Sequence, residues 1–182
     1  YSGKCITDAG LEHEVVVTMM ELPPGCDLNA AHNPEFYERI LRNILDAGVP
    51  FASVCFKDAS GTTNPTKVYE TFKRARKLLG DKVELRIHSH DTCGTGVAQY
   101  KAAIEGGADG VDLGRKPLSG GTAQPDLFSM FQALKGTEYK LALGEDSIVD
   151  DHIPEFMEAN NVAVECLKDY NFPPEARQIT TD

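Results

Sequence analysis

The chain has 182 residues, of which 28 are acidic and 18 basic, so its formal net charge at pH 7 is −10. An acidic chain without a sustained basic block is a poor partner for nucleic acid or for anionic membrane surfaces. No apolar run approaches the roughly 18 residues that a membrane span needs, and we therefore expect a cytoplasmic protein. The five cysteines are scattered and form no CxxC pair, which indicates neither a disulfide framework nor a zinc knuckle.

From residue 13 onward, short apolar runs alternate with amphipathic stretches, which is the pattern of repeated βα units. The first run, "HEVVVTMM" at 13–20, is β-branched and almost entirely apolar, as a parallel strand covered on both faces should be. A helix follows, with Asn33 as its N-cap, Pro34 at its first position and Gly48 at its end.

The same cycle repeats twice in the next 55 residues. A strand, "FASVCF" at 51–56, precedes a helix that opens at Pro65 and stops at Gly80. A second strand, "KVELRIHSH" at 82–90, alternates apolar and polar residues and leads to a helix over about 95–105. The spacing therefore predicts two further βα units.

The fourth unit has a strand at 110–114, "GVDLG", and a helix that we expect to begin at Pro125. One more amphipathic helix is predicted over about 148–170, and residues 1–12 read as the latter part of a helix that feeds the first strand. A complete eight-stranded α/β barrel needs roughly 250 residues. We therefore expect an α/β fold that is half of a larger barrel, with a partial barrel at 1–145 and a helical extension at 146–182.

Two histidines stand at the end of the third predicted strand, in "RIHSHDTCG" at 86–94. Strand side chains alternate, so His88 and His90 point the same way and could share one metal ion at the carboxyl end of the sheet. The alternative is that both are buried, hydrogen-bonded polar residues, and an isolated HxH pair does not decide between the two.

Lys57 comes directly after the second predicted strand, in "CFKDASG". A lysine at the end of an apolar parallel strand needs a counter-charge, and a salt bridge to Asp58 or Asp91 would provide one. If the amine instead loses its proton and captures carbon dioxide, the resulting carbamate is an anionic oxygen ligand suited to a divalent ion beside two imidazoles.

A glycine-bearing loop, "SGGTAQP" at 119–125, follows the last predicted strand. It places a hydroxyl, Thr122, and an amide, Gln124, at the same end of the sheet as the histidines. The alternative reading is ordinary loop and cap chemistry, in which Thr122 or Gln124 satisfies free backbone amides.

Together, "FKDASGTTNP", "RIHSHDTCGTGVAQYKAAIEGGADGVDL" and "PLSGGTAQPDLF" closely resemble the carboxyltransferase domain of biotin-dependent enzymes that act on 2-oxo acids. That family includes the carboxyltransferase subunit of pyruvate carboxylase, the oxaloacetate decarboxylase alpha chain and transcarboxylase. The resemblance runs over roughly residues 10–135, in the same order and spacing. It implies carboxyl transfer between carboxybiotin and a 2-oxo acid, pyruvate or oxaloacetate.

The resemblance also implies roles for individual residues. Lys57 matches the family's carbamylated lysine, and His88 and His90 match its two histidine ligands to a divalent metal, Zn, Mn or Co. Thr122 matches the threonine that shuttles a proton to and from biotin, and Gln124 lies in the same biotin-binding loop. Ala123 replaces the family's usual serine, so the contribution of that position to the biotin pocket does not carry over.

For the fold, the resemblance implies a (β/α)8 barrel in which the four visible strands are about the fifth to the eighth. The metal-binding Asp of the family's first strand, its Arg-Asp motif and the lysine motif of the biotin carrier are absent from this sequence. Biotin is therefore expected on another segment or subunit. The expected partners are a biotin carrier domain, a biotin carboxylase subunit or membrane decarboxylase partner, and a second copy of the chain in a homodimer.

The sequence leaves two other functions open. A metal-dependent aldolase, acyl-CoA lyase or synthase shares the HxH strand, but lacks the lysine of "KD" and the "SG-x-T-x-QP" loop. The other is a half barrel retained as a non-catalytic assembly module, whose free strand edges would favour dimerisation. Under the carboxyltransferase interpretation, this chain alone is expected to be inactive.

Overall fold

A computed structural model describes residues 1–27, 31–144 and 147–174. Its elements, in chain order, are α1 (Ser2–Asp8), β1 (Glu14–Thr18), α2 (Pro34–Asp46), β2 (Ser53–Asp58), α3 (Pro65–Leu79), β3 (Glu84–Ser89), α4 (Gly96–Glu105), β4 (Gly110–Val111), α5 (Leu127–Leu134), a 3₁₀ turn (Val149–His152) and α6 (Ile153–Cys166). The four strands form one parallel sheet in the order β1-β2-β3-β4. This arrangement confirms the predicted α/β class and its repeated βα units.

The two faces of the sheet have different surroundings. Val17, Phe56 and Ile87 lie side by side in the register and are buried against the helices. The helices contribute large side chains to the same core, among them Tyr37, Leu41, Val68, Phe72, Tyr100 and Met130. The opposite face is open: Val16, on β1, is 56% exposed although it sits in the middle of a strand. The apolar core therefore lies on one side of the sheet only.

Short-range capping explains where the first two long helices begin. The side chain of Asn33 accepts a hydrogen bond from the Phe36 amide at 2.8 Å, and Asn64 accepts one from the Lys67 amide at 2.9 Å. A proline follows each asparagine at the first helical position, where a missing N–H has no cost. Both predicted starts are confirmed.

The start predicted at Pro125 is wrong. Helix α5 begins at Leu127, and Asp126 is its N-cap, accepting from the amides of Phe128 and Ser129. The Pro125 carbonyl instead accepts from the Gly114 amide at 2.9 Å. This pairing with a residue beyond the end of β4 keeps Pro125 outside the helix.

Other boundaries also differ from the predictions. Strand β2 runs to Asp58, so Lys57 belongs to the strand. Strand β4 has only two residues, because beyond Val111 the chain turns toward the loop that precedes α5. Within the described residues the last helix is α6, which is shorter than 148–170 and keeps every residue at least partly exposed. The proposed domain boundary at 145/146 lies outside the described residues.

Among the residues that the structure describes, no helix combines the length and apolar character that crossing a bilayer demands.

We predict that Phe72→Ala destabilises the chain by about 3–5 kcal/mol, because it leaves a cavity in the helix-covered core. Phe72 is fully buried, and its ring lies 5.0 Å from that of Phe56. Urea unfolding should be compared with that of Leu45→Ala, at a position that is 42% exposed, where the change should be below about 1 kcal/mol. Equal effects of the two substitutions would contradict a core on this face.

Candidate metal centre

The parallel register aligns Thr18, Lys57 and His88 across β1, β2 and β3. Paired residues of adjacent strands point to the same face, which here is the open one. His90 follows two residues after His88, and the centroids of the two imidazole rings are 5.4 Å apart. The structure thus brings Lys57, His88 and His90 to one face at the carboxyl end of the sheet.

Each imidazole is held by a hydrogen bond at Nδ1. His88 Nδ1 donates to Asp112 Oδ2 at 2.9 Å, and His90 Nδ1 donates to the Thr122 carbonyl oxygen at 2.6 Å. Both partners are acceptors only, so each neutral ring carries its proton on Nδ1. The lone pair of each ring therefore lies on Nε2, the state in which histidine binds a metal ion.

The loop at 119–125 lies directly against the end of β3. The amide of Asp91 donates to the Ala123 carbonyl at 2.8 Å, beside the bond from His90 to Thr122. Gln124 Nε2 lies 3.2 Å from His88 Nε2, where its N–H can donate into the imidazole lone pair. Thr122 itself is an exposed residue. The predicted residues Thr122 and Gln124 are therefore neighbours of the histidine pair.

Asp58 has a structural role in the loop that follows β2. Its buried carboxylate accepts from the amides of Ser60, Gly61 and Thr63 and from the Ser60 hydroxyl, at 2.6–3.0 Å. Within the described part of the chain, neither Asp58 nor Asp91 forms an ion pair with Lys57. The described residues therefore do not form the salt bridge between Lys57 and Asp58 or Asp91 that the sequence left open.

Gly61 allows this loop to approach the histidines. It has φ +68°, in the left-handed region, and a Cβ at this position would overlap the carbonyl oxygen of His90. The "KDASG" loop therefore packs directly on the backbone of the histidine strand.

Ser89, between the two histidines, is held from the helix side of the sheet. Its amide donates to the Tyr100 hydroxyl at 2.9 Å, that hydroxyl donates to the Ser89 carbonyl at 3.1 Å, and the Ser89 hydroxyl donates to Gln99 Oε1. Gln99 is fully buried and also donates to the Gly61 carbonyl. Sequence reasoning missed Gln99 and Tyr100, although a polar residue on the core-facing side of a helix was the signal.

Sequence reasoning also missed Asp112. It follows β4 by one residue, so its position in "GVDLG" at a strand end was the available signal. Its second carboxylate oxygen, Oδ1, accepts from Arg86 at 3.3 Å. Asp112 therefore contacts the proposed ligand His88 at Nδ1, on the side of the ring away from Nε2.

These donors fit a divalent metal ion, but only as an incomplete set. Two unprotonated Nε2 atoms on one face are suitable ligands for zinc and similar ions. Within residues 1–27, 31–144 and 147–174, no three His, Cys, Asp or Glu side chains come together as a metal-binding group. A further ligand must therefore come from Lys57, from solvent or from outside the described residues.

Cys55 lies two residues before Lys57, on the same face of β2, and is 4% exposed. Burial raises the pKa of its thiol to about 11, and the nearby charges of Glu14 and Asp112 add to the effect against the opposing charges of Arg86 and Lys57. Ionisation of Cys55 thus reports chiefly on its burial, with a smaller influence from the charges around it.

Comparison with known proteins finds relatives that are carboxylases and carboxyltransferases. The profile of the HMGL-like family matches residues 11–137. Over 116 residues the chain is 34% identical to a pyruvate carboxylase subunit of Methanocaldococcus jannaschii, covering 64% of this chain and 20% of that protein. It is 28% identical over 127 residues to the methylmalonyl-CoA carboxyltransferase 5S subunit of Propionibacterium freudenreichii subsp. shermanii, covering 69% and 25%.

Solved structures give the same result. The carboxyl transferase domain of Rhizobium etli pyruvate carboxylase superposes with a TM-score of 0.66 and 28% identity, covering 75% of this chain and 22% of that one. The same domain with pyruvate and biocytin superposes with a TM-score of 0.65. The matches confirm the resemblance predicted from the motifs. The chain spans a quarter or less of the length of these relatives.

We predict that Cys55 is alkylated roughly a hundredfold more slowly at about pH 8 than the exposed Cys166, because burial both shields the Cys55 thiol and raises its pKa. The sign follows from the raised pKa of about 11: the Cys55 rate should keep rising until the pH reaches that value. Iodoacetamide labelling followed by peptide mass spectrometry measures both rates in one sample. Similar rates at neutral pH would contradict the buried, carboxylate-flanked environment.

Proposed function

This chain belongs to the HMGL-like family, and on that premise we propose that it supplies one half of the (β/α)8 barrel of a biotin-dependent carboxyltransferase. The reaction is transfer of a carboxyl group between carboxybiotin and a 2-oxo acid, pyruvate or oxaloacetate. The observation that carries the proposal is the pair of imidazoles beside Lys57 and the Thr122 loop. Each ring donates a hydrogen bond from Nδ1 and leaves Nε2 to bind an ion.

His88, His90 and Lys57 are the proposed metal ligands. When bound, a divalent ion supplies positive charge that polarises the 2-oxo carbonyl and stabilises the charge that develops on its oxygen. The two histidines would hold that ion through Nε2, and the Gln124 amide would then have to leave His88 Nε2. Gln124 is then available to contact biotin, as the family resemblance suggests.

Lys57 is proposed to act as a carbamate. Its neutral amine attacks carbon dioxide, a nitrogen–carbon bond forms and one proton is released to solvent, which leaves an anionic oxygen donor. Two observations support this assignment: Lys57 pairs with His88 in the strand register, and no described carboxylate forms an ion pair with it. A carbamate would add the negative charge and the third ligand that the two histidines lack.

Thr122 is proposed to move the proton. As the carboxyl group leaves biotin, the Thr122 hydroxyl donates its proton to the biotin nitrogen and takes one from the methyl group of pyruvate. The methyl carbon then forms its new bond to the released carbon dioxide, and Thr122 returns to its initial state. The bond from His90 to the Thr122 carbonyl supports this role, because it holds the Thr122 loop beside the proposed metal ligands.

The open face of the sheet supports the proposal that additional strands complete the barrel. In a closed barrel that face is interior, and catalytic groups converge from opposite walls. The partners that we propose are the remaining four βα units, a biotin carrier domain, and a biotin carboxylase subunit or membrane decarboxylase partner, with a second copy forming a homodimer. Lys57 and Thr122 disfavour a lyase of the HxH group. Carboxyltransferase activity would exclude a purely structural module.

We predict that the chain binds one divalent ion and that His88→Ala or His90→Ala abolishes stoichiometric binding, because each removes one Nε2 ligand. Calorimetric titration with Zn²⁺, supported by elemental analysis after dialysis, measures the stoichiometry. His152→Ala is the matched control, since His152 bonds Ser147 on a different element. Full binding by both site variants would contradict the metal centre.

We predict that the chain alone does not decarboxylate oxaloacetate in the presence of free biotin, whereas its complex with the first four βα units of the Rhizobium etli domain does. In that complex, Thr122→Ala should lower the rate by about 10²–10⁴-fold, the range for loss of a proton-transfer group. Lys57→Ala removes a proposed metal ligand and should lower the rate as well. Release of pyruvate measures the rate, and co-elution establishes that the complex has formed.

Two controls accompany this assay. Thr66→Ala and Lys73→Ala alter the same residue types on α3 and should leave the rate unchanged. An assembled complex without activity, or full activity of Thr122→Ala, would contradict the proposed reaction.

A further inference from the structure

Arg86 lies one layer below the histidine pair on the open face of the sheet. It precedes His88 by two residues on β3, so the two side chains share a face. Its guanidinium lies among three carboxylates: Nη1 is 3.3 Å from Asp112 Oδ1, Nη2 is 3.1 Å from Glu84 Oε1, and Nε is 3.5 Å from Glu14 Oε2. These partners come from β1, β3 and the residue after β4.

Asp112 connects Arg86 to His88. Its Oδ1 accepts from Arg86 and its Oδ2 accepts from His88 Nδ1 at 2.9 Å, so each carboxylate oxygen has a partner. The Asp112 amide donates to the Ile87 carbonyl at 3.2 Å, which also holds its backbone against β3. The carboxylate plane is therefore held at both ends, and its orientation determines where His88 Nδ1 can donate.

We propose that Arg86 is a positioning residue for His88 and acts through the carboxylate of Asp112. This inference rests on the metal site proposed above. Without Arg86, Asp112 is free to change rotamer, and His88 loses the acceptor that keeps its proton on Nδ1. Some His88 then carries the proton on Nε2, and that tautomer cannot bind an ion through Nε2. Outer partners of this kind typically alter metal affinity by about 10–100-fold.

The planar fork of arginine suits this position. A guanidinium presents several donors in fixed directions and can address Asp112, Glu84 and Glu14 together, whereas an ammonium is a single point charge. The Arg86 side chain is 39% exposed, and ion pairs with that much solvent access contribute little to stability. Loss of Arg86 should therefore affect His88 far more than the fold.

The first measurement uses the metal-free chain. ¹⁵N-histidine NMR at about pH 8.5, where imidazoles are ordinarily neutral, should show His88 protonated at Nδ1. Arg86→Met and Asp112→Asn should each shift a measurable fraction to the Nε2 tautomer, and Arg86→Lys should restore part of the original state. Arg74→Met is the matched control, because Arg74 also bonds two carboxylates, Glu35 and Glu38, on the outer helices.

The second measurement is Zn²⁺ affinity by chelator competition. Arg86→Met and Asp112→Asn should bind about 10–100-fold more weakly than the parent chain, and Arg74→Met should bind equally well. Circular dichroism excludes unfolding, and if Arg86→Met fails to fold, Asp112→Asn and Arg86→Lys decide the tautomer result.

The outcomes separate this inference from the metal site itself. If His88→Ala abolishes binding while Arg86→Met matches the parent chain in affinity and tautomer, the role of Arg86 is overturned and the metal site stands. If the parent chain binds no Zn²⁺, the metal site fails, and the NMR tautomers alone decide whether Arg86 positions His88.

Discussion

The two-residue repeat of a β-strand controls which strand residues face the helices and which face the candidate site. In the register of this sheet, Phe56 and Ile87 face the helices, while Lys57 and His88, one residue later, face the open side. A slip of one residue would bury Lys57 and His88 in the apolar core and expose Phe56. The apolar packing of the core therefore fixes the register, and the register fixes the composition of the candidate site.

The polar groups on the helix side make the histidine strand rigid. Ser89 lies between the histidines and is bonded to Gln99 and Tyr100, and Gln99 also reaches the Gly61 carbonyl. A buried polar group without a partner costs about 1–3 kcal/mol, so these bonds resist rearrangement. Helix α4 thus links the end of β3 to the loop that follows β2, the strand that carries Lys57.

Hydrogen-bond partners at Nδ1 orient each imidazole so that its Nε2 atom can bind an ion. A carboxylate and a backbone carbonyl accept from their Nδ1 atoms, which is the usual arrangement behind histidine ligands. The carbonyl belongs to the loop that carries Thr122, so the metal layer and the proposed proton-transfer group share one connection. Such a connection allows the two chemical functions to be positioned together, as a reaction between two bound molecules requires.

The sequence by itself determined the features that depend on near neighbours along the chain. The Asn33–Pro34 and Asn64–Pro65 pairs predicted helix starts because a cap bonds to an amide only three residues away. Strand alternation placed His88 and His90 on one face for the same local reason. The failure at Pro125 is instructive: its carbonyl pairs with Gly114, an interaction that no local pattern signals.

Only the tertiary structure decided which groups satisfy the site. His88 bonds Asp112, 24 residues away, and His90 bonds the Thr122 carbonyl, 32 residues away. The tertiary structure also decided against an ion pair between Asp58 and Lys57. The buried Asp58 carboxylate instead accepts from the backbone amides of its own loop. A polar group bonds whichever partner packing brings within about 3 Å, and packing depends on the whole chain. The residue types that form the site were therefore visible in the sequence, and their hydrogen-bond partners were not.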